Sequence, residues 1–318
     1  MPVPVPVPDL ARAYLLLCCW PLLACHAART PSLTPLPRAA TAHYVAGEAA
    51  LYRGELDDAI AELTAARAAA PDQPNIAIEL ARALGKAKRS AEARAVLADE
   101  RMRWPEHPQV WLATGELLEA DDPPAALAAY HHAIALADDD EAGYLGAARI
   151  EFARSASRDA EHTLRALVAA IPTSHEGHYR LGHVLAARGA LADALAQFAA
   201  TLELDPDHID ARVELSRAQR RTGHLDLAIT SLRGAFDRSA EPLDLAEELF
   251  DLLCEADDLR AAADLLTSLD DERSDLDALM VIARLAIGIG RYDHARAIAH
   301  HVESVSYTHL TLPTNREV

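Results

Sequence analysis

Between His175 and His208 the apolar positions fall into two short runs with the period of an α-helix. Leu181 and Leu185 belong to the first run, and Ala194, Phe198 and Leu202 to the second, at the three- and four-residue steps that put side chains on one helix face. Gly189 separates the runs and suits a turn between helices, and Pro206 stops the second. Gly182 and Ala194 are small where two antiparallel helices would need to approach closely. A hairpin of this kind cannot bury its apolar face alone, so it must stack on copies of itself.

The copies are there. Pro172 precedes Pro206 by 34 residues, Pro105 precedes Pro172 by 67, and Pro71 precedes Pro105 by 34, a recurrence that marks a repeat. The first unit, 40–73, carries Gly47, Gly54, Ala59, Leu63, Ala66 and Pro71 in register. The second, 74–107, carries Leu80, Ala81, Leu84, Ala93, Leu97 and Pro105. The third opens on Trp111, Gly115 and Leu118 and loses one residue around Pro123 and Pro124. The fourth, about 141–174, sets Glu151 where an aromatic or apolar residue is expected. Units follow at 175–208, 209–242 and 243–275, and an eighth runs from Ile282 to near Val302.

Leu181, Gly182, Leu185, Gly189, Ala194, Phe198 and Pro206 together resemble the tetratricopeptide repeat, with Thr201 a departure where that pattern sets a small residue. The resemblance implies an all-α chain: a right-handed α-solenoid of about eight tetratricopeptide helix-turn-helix repeats. It also implies a concave groove lined by the first helix of each repeat. Carried over by register, the partner-binding positions are Tyr44, Tyr52, Arg82, Lys86, Arg149, Phe152, Tyr179, His183, Arg217, Arg220 and Arg221. This wall reads as basic and aromatic inside an acidic protein, and aromatics and arginines are the residues that anchor interfaces. The lysine and asparagine clamp with which some members of the family hold chaperones is absent.

Composition narrows the partner. The chain has 318 residues, 51% of them apolar and 25% charged, with aromatics at 5%, which is ordinary for a soluble helical protein. Its formal charge of −19 argues against nucleic acid, since phosphate binding needs a net basic face. Lys86 and Lys88 are the only lysines, which reads as a GC-rich, bacterial coding sequence.

Candidate chemistry is thin. His175, Glu176 and His178 stand one residue short of the spacing that puts two histidines on one helix face, and His183 does not join them. No metal site is expected there. Adjacent pairs such as His131 and His132 point in different directions on a helix. Gly288 and Gly290 lack the third glycine of a phosphate loop and follow a helix rather than a strand. Cys254 reads as a structural thiol, with no basic neighbour to depress its pKa. No catalytic residue and no cofactor are expected.

The two ends differ from the repeats. Tyr14 to Ala24 is a short apolar core preceded by Arg12 and too short to span a bilayer, and it ends Leu22-Leu23-Ala24-Cys25. This resembles a bacterial lipobox, which implies a signal peptide over 1–25 and lipidation at Cys25. A plain secretory signal is the alternative. His26, rather than aspartate, follows the cysteine, and by the resemblance that points to the outer membrane. Residues 26–39 read as a tether that could extend about 40 Å, and 40–303 as the solenoid. Ser304 to Val318 holds no alanine and one of two asparagines. It resembles sequencing-adapter read-through and is expected to be foreign.

The function expected is a non-catalytic scaffold in the bacterial envelope that binds peptide or protein partners, touching the membrane only through its lipid. The alternatives are the repeat region of a longer exported enzyme, or a cytoplasmic adaptor with a misread start.

Overall fold

The computed structural model describes residues 36–239, 243–270, 283–288 and 290. Among them fourteen helices pair into seven hairpins, a further helical stretch covers 283–288, and there is no strand. The first three hairpins are α1 (Arg38–Arg53) with α2 (Leu56–Ala69), α3 (Pro74–Lys86) with α4 (Ser90–Arg103), and α5 (Pro108–Leu118) with α6 (Pro123–Leu136). The fourth and fifth are α7 (Glu141–Ala153) with α8 (Ser157–Ala170), and α9 (His175–Ala187) with α10 (Leu191–Leu204). The sixth and seventh are α11 (Ile209–Arg221) with α12 (Leu225–Phe236), and α13 (Leu243–Glu255) with α14 (Leu259–Asp270). Helical residues 283–288 are the described part of the expected eighth unit. Arg38 and Ala39, expected in the tether, instead open α1, where the Thr41 hydroxyl donates to the Pro37 carbonyl. The leader, Cys25 and the 304–318 tail lie outside the described residues.

Local sequence explains where helices start. Proline opens α3, α5 and α6, a position whose N–H would be unpaired in any case. Ser174 caps α9 by accepting the Gly177 N–H at 2.9 Å, and its hydroxyl donates to Glu141 of the preceding repeat at 2.7 Å. The turn between paired helices usually takes a residue in the left-handed region. Gly54, Gly189, Gly223 and Gly290 supply it at no steric cost, whereas Lys88, Ser155 and Asp257 adopt it with side chains. The third hairpin does without. Its first helix ends at Leu118, and Asp122 caps α6 by accepting the Ala125 N–H at 3.1 Å. That is the structural form of the residue missing before Pro123.

Close approach within the first, third and fifth hairpins is set by a glycine facing a large side chain. A Cβ on Gly182 would lie 2.7 Å from the Phe198 ring, which is fully buried. Tyr130 is pinched from both sides, since a Cβ on Gly115 or on Gly146 of the next repeat would meet its ring at 2.7 or 2.5 Å.

Two departures from the repeat pattern are accommodated by polar neighbours. Thr201, fully buried, donates to the Gln197 carbonyl at 3.1 Å, so its hydroxyl is satisfied within its own helix. Glu151, also buried, lies 3.4 Å from His131 of the preceding hairpin. Cys254 is half-buried against the C-terminal core, and burial pushes its thiol pKa up, with Asp251 adding to the effect.

Phe198→Ala should cost about 3–5 kcal/mol. Gly182→Ala, which adds a methyl group against the ring, should cost about 1–3 kcal/mol. Urea unfolding followed by circular dichroism measures both, and a neutral Gly182→Ala would show that the ring gives way.

Candidate partner-binding groove

The first helices of consecutive hairpins touch: α3 with α5, α5 with α7, α7 with α9, and α9 with α11. They therefore form the inner layer of the curved stack, and the residues assigned to the groove lie on it. Their surroundings differ from a bare basic stripe.

Each arginine except Arg221 is held by carboxylates. Arg82 donates to Glu79 at 2.7 Å and to Glu116, on the next repeat, at 3.1 Å. Arg149 reaches back to Glu119 at 2.6 Å. Arg217 grips Glu248 through two bonds of 2.9 Å and also bonds Glu214 at 2.8 Å. Hydrogen bonding to Glu248 is the main reason its pKa is raised. Arg220 meets Glu255 at 2.5 Å. The wall is thus an alternating ladder, not a positive surface. Counting the basic positions alone missed it. The acidic partners stand about one repeat away, at separations of 34, 30 and 31 residues for Arg82, Arg149 and Arg217. A search for opposite charges at the repeat spacing would have found them. Exposed pairs of this type stabilise by under about 1 kcal/mol each, so the ladder shapes the wall more than it stabilises the fold.

Arg221 donates to the Ala186 carbonyl at 3.1 Å and takes no carboxylate among the described residues. Lys86 is exposed at the end of α3. Tyr44 is half-buried against the first core cluster, and burial raises its hydroxyl pKa, with Glu48 adding to the effect. Tyr52 is 95% exposed at the end of α1.

The middle of the wall is different. Among the described residues no arginine–carboxylate pair joins α7 to α9. The junction is made by Phe152 and His183, whose rings meet edge to face at 5.5 Å. One helical turn away, Tyr179 packs on His208 at 4.7 Å and on Phe198 at 6.3 Å, with the Arg180 guanidinium over its ring. Phe152 and Tyr179 are half-buried and His183 is exposed. An apolar interval therefore sits between two ionic ones.

The ionic joints carry a pH signature. The hydrogen bond from Arg149 holds the Glu119 carboxyl below its ordinary 4.5. A carboxyl depressed in the folded state adds stability above its unfolded pKa and loses it as pH falls through the folded value. Wild-type protein should therefore lose more stability than Arg149→Met between about pH 5 and pH 2. Urea titrations at stepped pH check this, and parallel curves would mean that the pair does not couple to folding.

Tetratricopeptide-repeat family models match residues 50–115, 145–209 and 179–242, together just over half of the chain. No curated protein matches the sequence significantly. Among solved structures, PilW, described as a widely conserved type IV pilus biogenesis factor, is similar at 20% identity and TM-score 0.49, over 62% of this chain and 92% of that one. YrrB, described as a TPR protein with an unusual peptide-binding site, is similar at 19% identity and TM-score 0.48, over 58% of this chain and 96% of that one. A MamA fragment from Desulfovibrio magneticus RS-1 is similar at 14% identity and TM-score 0.40, over 64% of this chain and 97% of that one. Likeness at this level says nothing of what this chain binds. With helix-turn-helix pairs repeating in register and family models matching them, the chain belongs to the tetratricopeptide-repeat proteins and is an all-α solenoid of such repeats.

Proposed function

We propose that this chain is a non-catalytic scaffold of the bacterial envelope, which holds a peptide or protein partner along its inner wall and is tied to the membrane by lipid on Cys25. The observation that carries the reading is the apolar interval of Phe152, Tyr179 and His183 between two stretches of paired charges. A wall whose charges are already paired offers a partner little net field. Affinity then comes from burying apolar and aromatic groups at the centre, while the flanking charges select against misfits. In this reading the leader is 1–25, the tether begins at 26, and the solenoid follows. Among the described residues no helix is long and apolar enough to cross a membrane, which is compatible with attachment by lipid.

A photo-crosslinking residue at His183 should capture a partner in cells, and the same residue at Asp159, exposed on α8, should not. Equal capture from both positions would remove the inner wall as the binding surface. Attachment is tested separately. Labelled palmitate should enter the wild-type protein, and Cys25→Ala should release it from membranes, because several acyl chains hold far more firmly than one. A wild-type protein that is unlabelled and soluble would end the lipid reading and leave the groove reading standing.

A further inference from the structure

His175 and Glu176 open α9, and His208 caps α11 at the start of the next repeat. Stacking brings one donor atom from each of the three to within 4.8 Å of the others. Nε2 of His208 lies 4.0 Å from Oε2 of Glu176, and the two imidazole rings stand 6.1 Å apart at 75°. The supports are already placed. Arg180 donates to Oε1 of Glu176 at 2.6 Å, which leaves Oε2 facing the histidines. The Tyr179 ring packs on His208 at 4.7 Å and limits how that ring can turn. The side chains of Glu176 and His208 are only 28% and 13% exposed, so the cluster is recessed, with exposed His175 at its mouth.

We propose that His175, Glu176 and His208 form a binding site for a late first-row divalent cation, with Zn2+ as the probe, bridging the fifth and sixth repeats. Two imidazoles and one carboxylate are the donor set such ions prefer, and hard cations such as Mg2+ and Ca2+ prefer all-oxygen sites. Three protein ligands leave a fourth position for water or a partner's side chain. The rest of this wall uses no such set. His178 turns instead to Gln197 and the Pro172 carbonyl, at 2.8 and 3.2 Å, and His183 to Phe152.

The local field has two opposing parts. Two helix N-termini meet here, each equivalent to about half a positive charge, which disfavours a cation. Against them stand the carboxylates of Asp210, Glu214 and Glu176. After burial, these are the groups that raise the hydroxyl pKa of Tyr179, the ring packed on His208. Arg180, bonded to Glu176, adds one full positive charge to the two half charges, and the three carboxylates still exceed their sum.

His208 has a competing duty. Its Nδ1 accepts the Ala211 N–H at 3.2 Å, so the neutral ring carries its proton on Nε2. Ligation through Nε2 puts that proton on Nδ1 and gives up the cap. The loss is a signature that distinguishes an ion bound here from one bound elsewhere on a chain with 15 histidines.

The test is calorimetric titration of the full chain with Zn2+, beside His175→Ala and His208→Asn. Asparagine is among the best N-cap residues, so His208→Asn keeps α11 capped while removing the imidazole. The expected result is one equivalent of Zn2+ bound by wild type and a tenfold or greater weakening in both variants. Mg2+ and Ca2+ should bind at this site in none of the three proteins. Adding Zn2+ should also speed hydrogen exchange at the Ala211 amide in wild type. Equal affinity in all three proteins, weakening in only one variant, or no binding at about 100 µM Zn2+ would each overturn the proposal.

Discussion

The first, third and fifth hairpins depend on a close approach that only a small residue permits. Gly182 faces Phe198, Gly115 faces Tyr130, and Gly47 faces Leu63, each so tightly that a methyl group would collide. This spacing sets the distance between the two helices, and therefore the surface each hairpin offers to the next. Tyr130 extends the constraint across a joint, because Gly146 of the following repeat rests on the same ring. Its hydroxyl donates to Glu119 at 3.1 Å, and Glu119 in turn holds Arg149. The core of one repeat thus positions a charged pair on the inner wall of the next.

The joints between repeats share a geometry but not a chemistry. At the N-terminal end they use ion pairs on both layers, with Arg82 to Glu116 on the inner one and Arg67 to Glu100 at 2.8 Å on the outer. At the sixth and seventh repeats Arg217 and Arg220 do the same work. In the middle, rings and histidines take their place on the inner layer, Phe152 with His183 and Tyr179 with His208, while Arg188 still pairs with Glu161 across the fourth and fifth hairpins. A stacked array contacts only its neighbours, so one joint can change its chemistry without disturbing the others. This freedom lets a wall acquire a distinct centre while the fold stays the same.

Burying a carboxylate in such an array requires a partner, which comes from the same helix, the adjacent repeat or a turn. Glu100 is met by Arg67, Glu161 by Arg165 and Arg188, and Glu151 by His131. Glu151, a departure within its own repeat, finds its partner on the preceding hairpin. An uncompensated buried charge would be far more costly than the modest gain from a surface pair.

The sequence alone determined the hairpin and its repetition. Helical periodicity, Gly189 in the turn and proline at a 34-residue step are local properties, and local properties can be read along a chain. Even the shortened third turn before Pro123 was visible as a missing residue. What the sequence did not disclose lies between repeats. The acidic partners of Arg82, Arg149 and Arg217 are about thirty residues distant in the chain, and the basic wall became a ladder only when stacking set them opposite. His175 and Glu176 looked isolated for the same reason, because His208 reaches them from the far end of the unit, where it caps α11. Periodicity states that hairpins stack. Which side chains then meet depends on the offset between consecutive first helices, and only the tertiary structure decides that.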